Sequence, residues 1–417
     1  MEKFVITGGN RLYGHVNVDG SKNSVLPILA ATILIKGKSI IKNVPNLSDV
    51  EAMLTLLAHY GAVINKLDKG VIEIDTTSLN NTTPNQIAES IRASFLLVGA
   101  LIGRFDNVSM SMPGGCSIGL RPIDLHLKGF NCLGAKYSYE KGVINIRHNG
   151  LTGNEIYLDF PSVGATENII LASVLAKETT IISNSAIEPE IVDLADFLNK
   201  AGADIKGAGT DTIIITGVNS LHETTHTIIS DRIEAGTFML AVAGAGGKCT
   251  INNVIIEHIK PIILKLRELN VDVKEIGNSV LVESDGKLTN THIKTMPYPG
   301  FPTDMQSQFM SIMAKGRGIG IVNETVFENR FMHIGELSKM GANIRVEGRT
   351  AVIDGIRQLK GAEVKATDLR AGAGLILSAL CAKGLTEIGE IHYIDRGYEK
   401  IEEKIRSLGG NIQRITS

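Results

Sequence analysis

The sequence predicts an α/β chain of two domains, built from six repeated strand-and-helix units in which sheets enclose buried helices. Three observations predict it: a tetrad that recurs along the whole chain, a small-residue apolar helix that recurs with it, and a composition to match, with 44 glycines and only 5% aromatics in 417 residues. The tetrad Gly61-Ala-Val-Ile returns as Gly134-Ala-Lys-Tyr, Gly202-Ala-Asp-Ile, Asn270-Val-Asp-Val, Gly341-Ala-Asn-Ile and Gly409-Gly-Asn-Ile, at steps of about 70 residues.

Each tetrad follows an amphipathic helical pattern, as in Asp49-Val-Glu-Ala-Met-Leu-Thr-Leu-Leu-Ala and Ile191-Val-Asp-Leu-Ala-Asp-Phe-Leu. The Gly (or Asn270) stands where a helix C′ cap belongs, and strand-like alternation follows, as in Val71-Ile-Glu-Ile and Thr212-Ile-Ile-Ile. The second helix of each unit (for example Ala165-Thr-Glu-Asn-Ile-Ile-Leu-Ala and Ala371-Gly-Ala-Gly-Leu-Ile-Leu-Ser) is apolar almost all round, which marks a helix buried on every side. One core does not grow past about 250–300 residues, so six units divide into two domains of three. The expected boundaries are 21–229 and 1–20 plus 230–417, with hinges at Asp19-Gly20-Ser21 and near Ile229-Ser230-Asp231 and the first strand returning to the C-terminal domain.

The balance of 42 Lys+Arg against 44 Asp+Glu, a formal charge of −2, argues against a nucleic-acid or membrane-surface binder. The longest apolar runs, Ala93–Gly103 and Gly236–Gly247, are about half of a bilayer span, and MEKFVITGGN does not read as a signal peptide. The expectation is a cytoplasmic protein. Four cysteines without a CxxC pair suggest neither a disulfide framework nor zinc.

Polar residues gather at the N-terminal edges of the buried helices: Lys22-Asn23, Arg92, Ser162, Asp231-Arg232, Asp304 and Asp368-Leu-Arg370. Ser162, Asp304 and Asp368 could each be a plain N-cap. Lys22, Arg92, Arg232 and Arg370 could not, because a cation opposes the helix dipole there. They call for a negative partner, most naturally a ligand bearing phosphate or carboxylate groups. Met112-Pro-Gly-Gly-Cys116-Ser-Ile-Gly-Leu-Arg121-Pro reads as an exposed glycine loop whose Arg121 can lower the thiol pKa of Cys116. Cys132, Cys249 and Cys381 read as buried small hydrophobes. Arg330 and Arg396 end two further loops, where a solvated arginine is the default and recurrence in successive units favours a shared site.

Three patterns fail on context. His222-Glu-Thr-Thr-His226 has zinc-protease spacing but falls in a connector rather than a helix. Gly244-Ala-Gly-Gly-Lys248 lacks the first glycine and the Ser/Thr of a P-loop, and Gly316-Arg-Gly-Ile-Gly320 follows a helix where a dinucleotide fold needs a strand.

Gly20-Ser-Lys22-Asn23-Ser, Pro113-Gly-Gly-Cys116-Ser-Ile-Gly-Leu-Arg121-Pro, Ser162-Val-Gly-Ala-Thr166, Phe301-Pro-Thr-Asp304-Met-Gln, Glu328-Asn-Arg330-Phe, Asp368-Leu-Arg370-Ala-Gly and Asp395-Arg396-Gly-Tyr together resemble the UDP-N-acetylglucosamine 1-carboxyvinyltransferase family over essentially the full chain. The resemblance implies the enolpyruvate transferase fold, a two-domain inside-out α/β barrel with its active site in the cleft between the domains. It implies transfer of the enolpyruvyl group of phosphoenolpyruvate to the 3′-hydroxyl of UDP-N-acetylglucosamine by addition and elimination, without metal or cofactor, as the first committed step of peptidoglycan synthesis.

By that resemblance Cys116 is the proton donor and the target of fosfomycin. Lys22, Arg121 and Arg396 hold the phosphate, Arg330 and Arg370 the carboxylate side of phosphoenolpyruvate, and Asn23 also binds that substrate; Lys22 and Arg396 count among the catalytic residues. Asp304 binds or deprotonates the sugar hydroxyl, with Asp368 a second proton shuttle. Asn23, Arg92, the run Arg121, Pro122, Ile123, Asp124, Leu125, then Ser162, Val163, Val326 and Phe327 line the UDP-sugar site. Phe160 departs from the lysine many members carry, which removes a cation from the diphosphate and hints at one of two paralogues. The expected partners are two small molecules, the chain being a monomer or weak homo-oligomer. The alternatives are 3-phosphoshikimate 1-carboxyvinyltransferase, disfavoured by the cysteine loop, and a silent UDP-sugar-binding regulatory paralogue, disfavoured because Cys116, Asp304 and the arginines are all present.

Overall fold

The computed structural model describes residues 2–81, 95–111 and 123–416. They form two compact units, one from residues 20–81, 95–111 and 123–229 and one from residues 2–19 with 230–416.

In the first unit three small-residue helices, Lys22–Ala31, Leu96–Arg104 and Val163–Ser173, are buried almost throughout and pack on one another. Close approach explains their composition. A Cβ on Gly99 would lie 2.3 Å from the main-chain oxygen of Asn168 on the neighbouring helix. Asn168 then ties the two helices, its Nδ2 donating to the Phe95 carbonyl at 3.0 Å and its Oδ1 accepting from the Gly99 N–H at 2.7 Å. The amphipathic helices Ser48–His59, Asp124–Cys132 and Pro189–Lys200 contribute their apolar faces to the same core.

The second unit repeats the plan with buried helices Arg232–Ala245, Gln306–Met313 and Leu369–Cys381 and amphipathic helices Ile256–Glu268, Ile334–Lys339 and Ile401–Ser407. All six tetrads begin in the left-handed region, at φ between 67° and 101°, which glycine adopts freely and Asn270 tolerates. This is the C′ geometry the repeat predicts.

The strand after each small-residue helix has a parallel neighbour on one side and an antiparallel one on the other, except Asn107–Ser111, which has only an antiparallel neighbour among the described residues. Ile319–Asn323, for example, lies between His292–Lys294 and Thr350–Asp354, with Asn343–Glu347 at the edge. Five sheets have four strands, and the sixth has three among the described residues. Both units close on themselves. Glu2–Thr7 pairs antiparallel with Leu385–Gly389 and Asn411–Thr416, and Thr224–Thr227 pairs parallel with Lys38–Lys42. The first strand thus shares a sheet with two strands from the C-terminal end of the chain.

The rejected patterns sit in unsuitable geometry. His226 lies in the strand Thr224–Thr227, where its Nε2 is 2.8 Å from Asp193 Oδ1, while His222 is exposed ahead of that strand. Lys248 follows a helix C-terminus, not a helix-opening loop. Gly316–Gly320 follows the helix Gln306–Met313. Cys249 and Cys381 are buried, and burial pushes both thiols up to about 11. Cys132 is a correction: it ends an amphipathic helix and is partly exposed, because the small-hydrophobe reading took no account of the helix face.

Candidate active site

The N-terminal edges of the buried helices do carry polar groups, and the structure separates the caps from the rest. Ser162 Oγ accepts from the Ala165 N–H at 3.4 Å, and Asp368 Oδ1 from the N–H groups of Arg370 and Ala371 at 2.9 and 3.0 Å. Asp231 caps in the same way, through Ile233 and Glu234. Asp304 does not cap a helix with its side chain. It lies in the 3-10 turn Thr303–Met305, one turn ahead of Gln306–Met313.

There its carboxylate accepts from two arginines, Arg330 Nη2 on Oδ1 and Arg370 Nη2 on Oδ2, each at 2.8 Å. Arg330 comes from the loop before Ile334–Lys339, and Arg370 from the first turn of Leu369–Cys381. Their side chains are 3% and 5% exposed and that of Asp304 is 25% exposed. Arg330 is therefore not the solvated loop arginine that is the default for its type. Burial alone would raise the Asp304 pKa, but Arg370 and Arg330 outweigh it and hold the carboxyl well below its usual range.

Neighbouring groups fix the two guanidinium planes. Arg330 donates to Thr303 Oγ1 at 2.7 Å and lies over the Phe327 ring, its Cζ 5.1 Å from the centroid. Arg370 lies 5.9 Å over the ring of Tyr398, whose hydroxyl is 2.9 Å from Thr237 Oγ1 and accepts from Gln308 Nε2 at 3.2 Å. Arg330 Nε and Arg370 Nη1 are buried without a hydrogen-bond partner among the described residues. His333, beside them, is also buried; burial takes its pKa down to about 4, with Arg330 acting in the same direction against Asp368. It is a neutral ring at neutral pH.

The expectation of a negative partner for the helix-edge cations is met in part by the protein itself. Lys22, the first residue of its helix, pairs with Asp49 at 2.6 Å, both side chains nearly buried. Arg370 has Asp304, and Arg232 lies over the Tyr298 ring at 5.8 Å. Carboxylates brought by other segments thus hold Lys22 and Arg370 in place.

In the first unit Asn23 follows Lys22 in the opening turn of its helix, Val163 opens the helix that Ser162 caps, and Ile123, Asp124 and Leu125 stand at the start of Asp124–Cys132. Phe160 is 44% exposed, next to Asp159, which pairs with Lys128 at 2.7 Å. In the second unit Val326 and Phe327 lie in the loop that also carries Arg330, and Arg396 ends the 3-10 helix Ile391–Arg396. Arg92, Cys116, Arg121 and Pro122 lie outside the described residues. Among the described residues no three His, Cys, Asp or Glu side chains gather as a metal-ligand set, and no helix is long and apolar enough to cross a membrane.

Sequence reasoning missed Asp49, Thr303, Glu324 and Tyr398. Asp49 was visible only as a polar residue in the first turn of an amphipathic helix, and neither periodicity nor spacing reports which distant cation it meets.

Residues 6–405 match the profile of EPSP synthase (3-phosphoshikimate 1-carboxyvinyltransferase). The chain is 52% identical over 412 residues to UDP-N-acetylglucosamine 1-carboxyvinyltransferase 1 of Caldanaerobacter subterraneus subsp. tengcongensis, covering 99% of each. It is 52% identical over 419 residues to UDP-N-acetylglucosamine 1-carboxyvinyltransferase 2 of Carboxydothermus hydrogenoformans, covering 100% of each. Among solved structures, the enolpyruvyl transferase NikO from Streptomyces tendae superposes with a TM-score of 0.90 at 25% identity, covering 100% of this chain and 99% of that one. The six-unit α/β architecture is that of the enolpyruvyl transferases.

Proposed function

Because this chain belongs to the UDP-N-acetylglucosamine 1-carboxyvinyltransferase family of enolpyruvyl transferases, we propose that it transfers the enolpyruvyl group of phosphoenolpyruvate to the 3′-hydroxyl of UDP-N-acetylglucosamine and releases phosphate. It is a transferase, and the reaction is the first committed step of peptidoglycan synthesis. The observation that carries the reading is the Asp304–Arg330–Arg370 cluster: two buried guanidinium groups with nitrogens left over for an anion, set around one carboxylate.

The chemistry asks for such a cluster. Protonation of C3 of phosphoenolpyruvate builds positive charge at C2, the sugar oxygen adds there and gives up its proton, and elimination then removes a proton from C3 and breaks the bond from C2 to the phosphate oxygen. Arg330 and Arg370 hold the carboxylate side of phosphoenolpyruvate, while Lys22, Arg121 and Arg396 hold its phosphate. Buried guanidinium groups hold the carboxylate of the substrate more firmly than exposed ones, because little water competes for them.

Asp304 takes the proton of the sugar hydroxyl. With two guanidinium groups on it, Asp304 is a weak base. A phosphoenolpyruvate carboxylate arriving at Arg330 and Arg370 competes for those donors and raises the basicity of Asp304 as the second substrate is committed. Cys116 supplies the proton to C3, and Asp368 is the second candidate for proton movement. Asn23, Arg92, Arg121 to Leu125, Ser162, Val163, Val326 and Phe327 bind the UDP-sugar. We read the protein as cytoplasmic, monomeric or weakly self-associating, and acting on small molecules alone.

The test is phosphate release from phosphoenolpyruvate with either UDP-N-acetylglucosamine or shikimate 3-phosphate as acceptor. Release with the sugar nucleotide supports the reading. Release only with shikimate 3-phosphate replaces it by the sister activity.

A further inference from the structure

We propose that Glu324 is a positioning residue for this reaction, a buried carboxylate that sets both the Val326–Phe327 turn and, through the Thr303 hydroxyl, the Arg330 guanidinium. The inference rests on the assignment of Arg330 and Asp304 to the substrate site made above.

Glu324 is 1% exposed and follows the strand Ile319–Asn323 directly. Its carboxylate meets four donors. Oε1 accepts from the N–H groups of Val326 at 2.8 Å and Phe327 at 3.1 Å and from Thr295 Oγ1 at 2.9 Å, and Oε2 accepts from Thr303 Oγ1 at 2.9 Å. Two of these bonds fold the chain into the turn that leads to Arg330. The Thr303 bond reaches the 3-10 turn that carries Asp304.

The direction of each bond matters. Thr303 spends its one hydroxyl proton on Glu324, which leaves its oxygen lone pairs facing Arg330, and Nη1 of Arg330 donates there at 2.7 Å. The other arm of the same guanidinium reaches Asp304 at 2.8 Å. Glu324 therefore orders a chain of donors and acceptors that ends on the pair proposed to act on substrate. A buried carboxylate that accepts from four groups holds its neighbours in one arrangement. Thr295 reinforces the turn, since its Oγ1 also accepts from the Thr325 N–H at 2.9 Å.

Thr303→Val removes the hydroxyl and keeps the shape, so it cuts the link to Arg330 while leaving the Glu324 bonds to Val326 and Phe327. Glu324→Gln presents an N–H to Thr303 where an acceptor stood, which disturbs the same link from the other side. Thr303→Ser keeps the hydroxyl and is the conservative rescue. Initial rates are measured with phosphoenolpyruvate and UDP-N-acetylglucosamine varied separately, beside a thermal melt of each variant.

Loss of one charge-assisted bond to Arg330 predicts a fall of about ten- to hundredfold in kcat/KM for phosphoenolpyruvate in Thr303→Val. The KM for UDP-N-acetylglucosamine stays within about threefold, Glu324→Gln shows the same split, and Thr303→Ser recovers most of the loss. Equal losses for both substrates that follow the melting temperature overturn the inference, as do Thr303→Val kinetics within about twofold of the parent. A parent protein that releases no phosphate from this substrate pair refutes the underlying reading instead.

Discussion

Replacing Asp304 with Asn keeps the shape of the side chain and removes the charge that two buried arginines share. The carboxylate accepts two bonds of 2.8 Å from guanidinium groups that are 3% and 5% exposed. Removing one partner of a buried ion pair costs about 3–5 kcal/mol, because the remaining charge stays desolvated. Two cations lose their partner here, which favours a large value, but a quarter of the Asp304 side chain is open to water, which screens it. We place the loss at about 3 kcal/mol, or about 6–12 °C in melting temperature for a unit of this size.

Inorganic phosphate restores negative charge between Arg330 and Arg370, so it raises the melting temperature of Asp304→Asn more than that of the parent. Turnover falls by about 10²–10⁴-fold, the range for loss of a positioned base. The readouts are a thermal melt with and without phosphate and the phosphate-release rate. A melt within about 2 °C of the parent, no added gain from phosphate and unchanged turnover would falsify the claim that this carboxylate balances the two arginines.

Three further outcomes follow from the same structure and sequence. Cys116→Ala binds UDP-N-acetylglucosamine as the parent does but loses most of its phosphate release, by about 10²-fold or more; full turnover in that variant removes Cys116 from proton transfer. Gly374→Ala puts a Cβ 2.5 Å from Ser311 Oγ and 2.9 Å from the Ser307 carbonyl on the adjacent helix. It costs about 1–3 kcal/mol in a urea titration, and an unchanged midpoint counts against the close packing of these helices.

Burial pushes Glu234 up to about 7 even though Lys404 opposes the shift. The folded state therefore holds a proton that the unfolded chain gives up near 4.5, so its stabilisation is complete below that value and lost as pH rises to about 7. Glu234→Gln removes this contribution, and the fall in stability between about pH 4.5 and 7 becomes shallower than in the parent. Parallel stability-against-pH curves for the two proteins would contradict the assignment.

Much of the fold was legible because its cause is local. A tetrad that opens with Gly or Asn after an amphipathic helix needs positive φ, and all six positions have it. A helix rich in Ala, Gly and Ser and apolar all round has to be buried, and the six such helices are. The basic residues Lys22, Arg232 and Arg370 at helix edges likewise stood out, since a cation at a helix N-terminus goes against the dipole.

Pairings across the sequence were not legible. Lys22 meets Asp49, and Asp304 meets Arg330 and Arg370, over separations of 26 residues and more. Periodicity identifies the face of an element but not its partner. For that reason Asp304 could pass for an N-cap and Arg330 for a solvated arginine. Glu324 was silent because a single Glu at a strand end has no pattern; only the convergence of two backbone N–H groups and two threonine hydroxyls on its carboxylate reveals its place.

The central claim is tested most directly by identifying the product formed from phosphoenolpyruvate and UDP-N-acetylglucosamine. Proton NMR of the reaction mixture is predicted to show two new vinyl resonances on a sugar nucleotide substituted at the 3′-oxygen, appearing in step with phosphate. Phosphate released without that enol ether, or an enol ether formed only on shikimate 3-phosphate, would contradict the account.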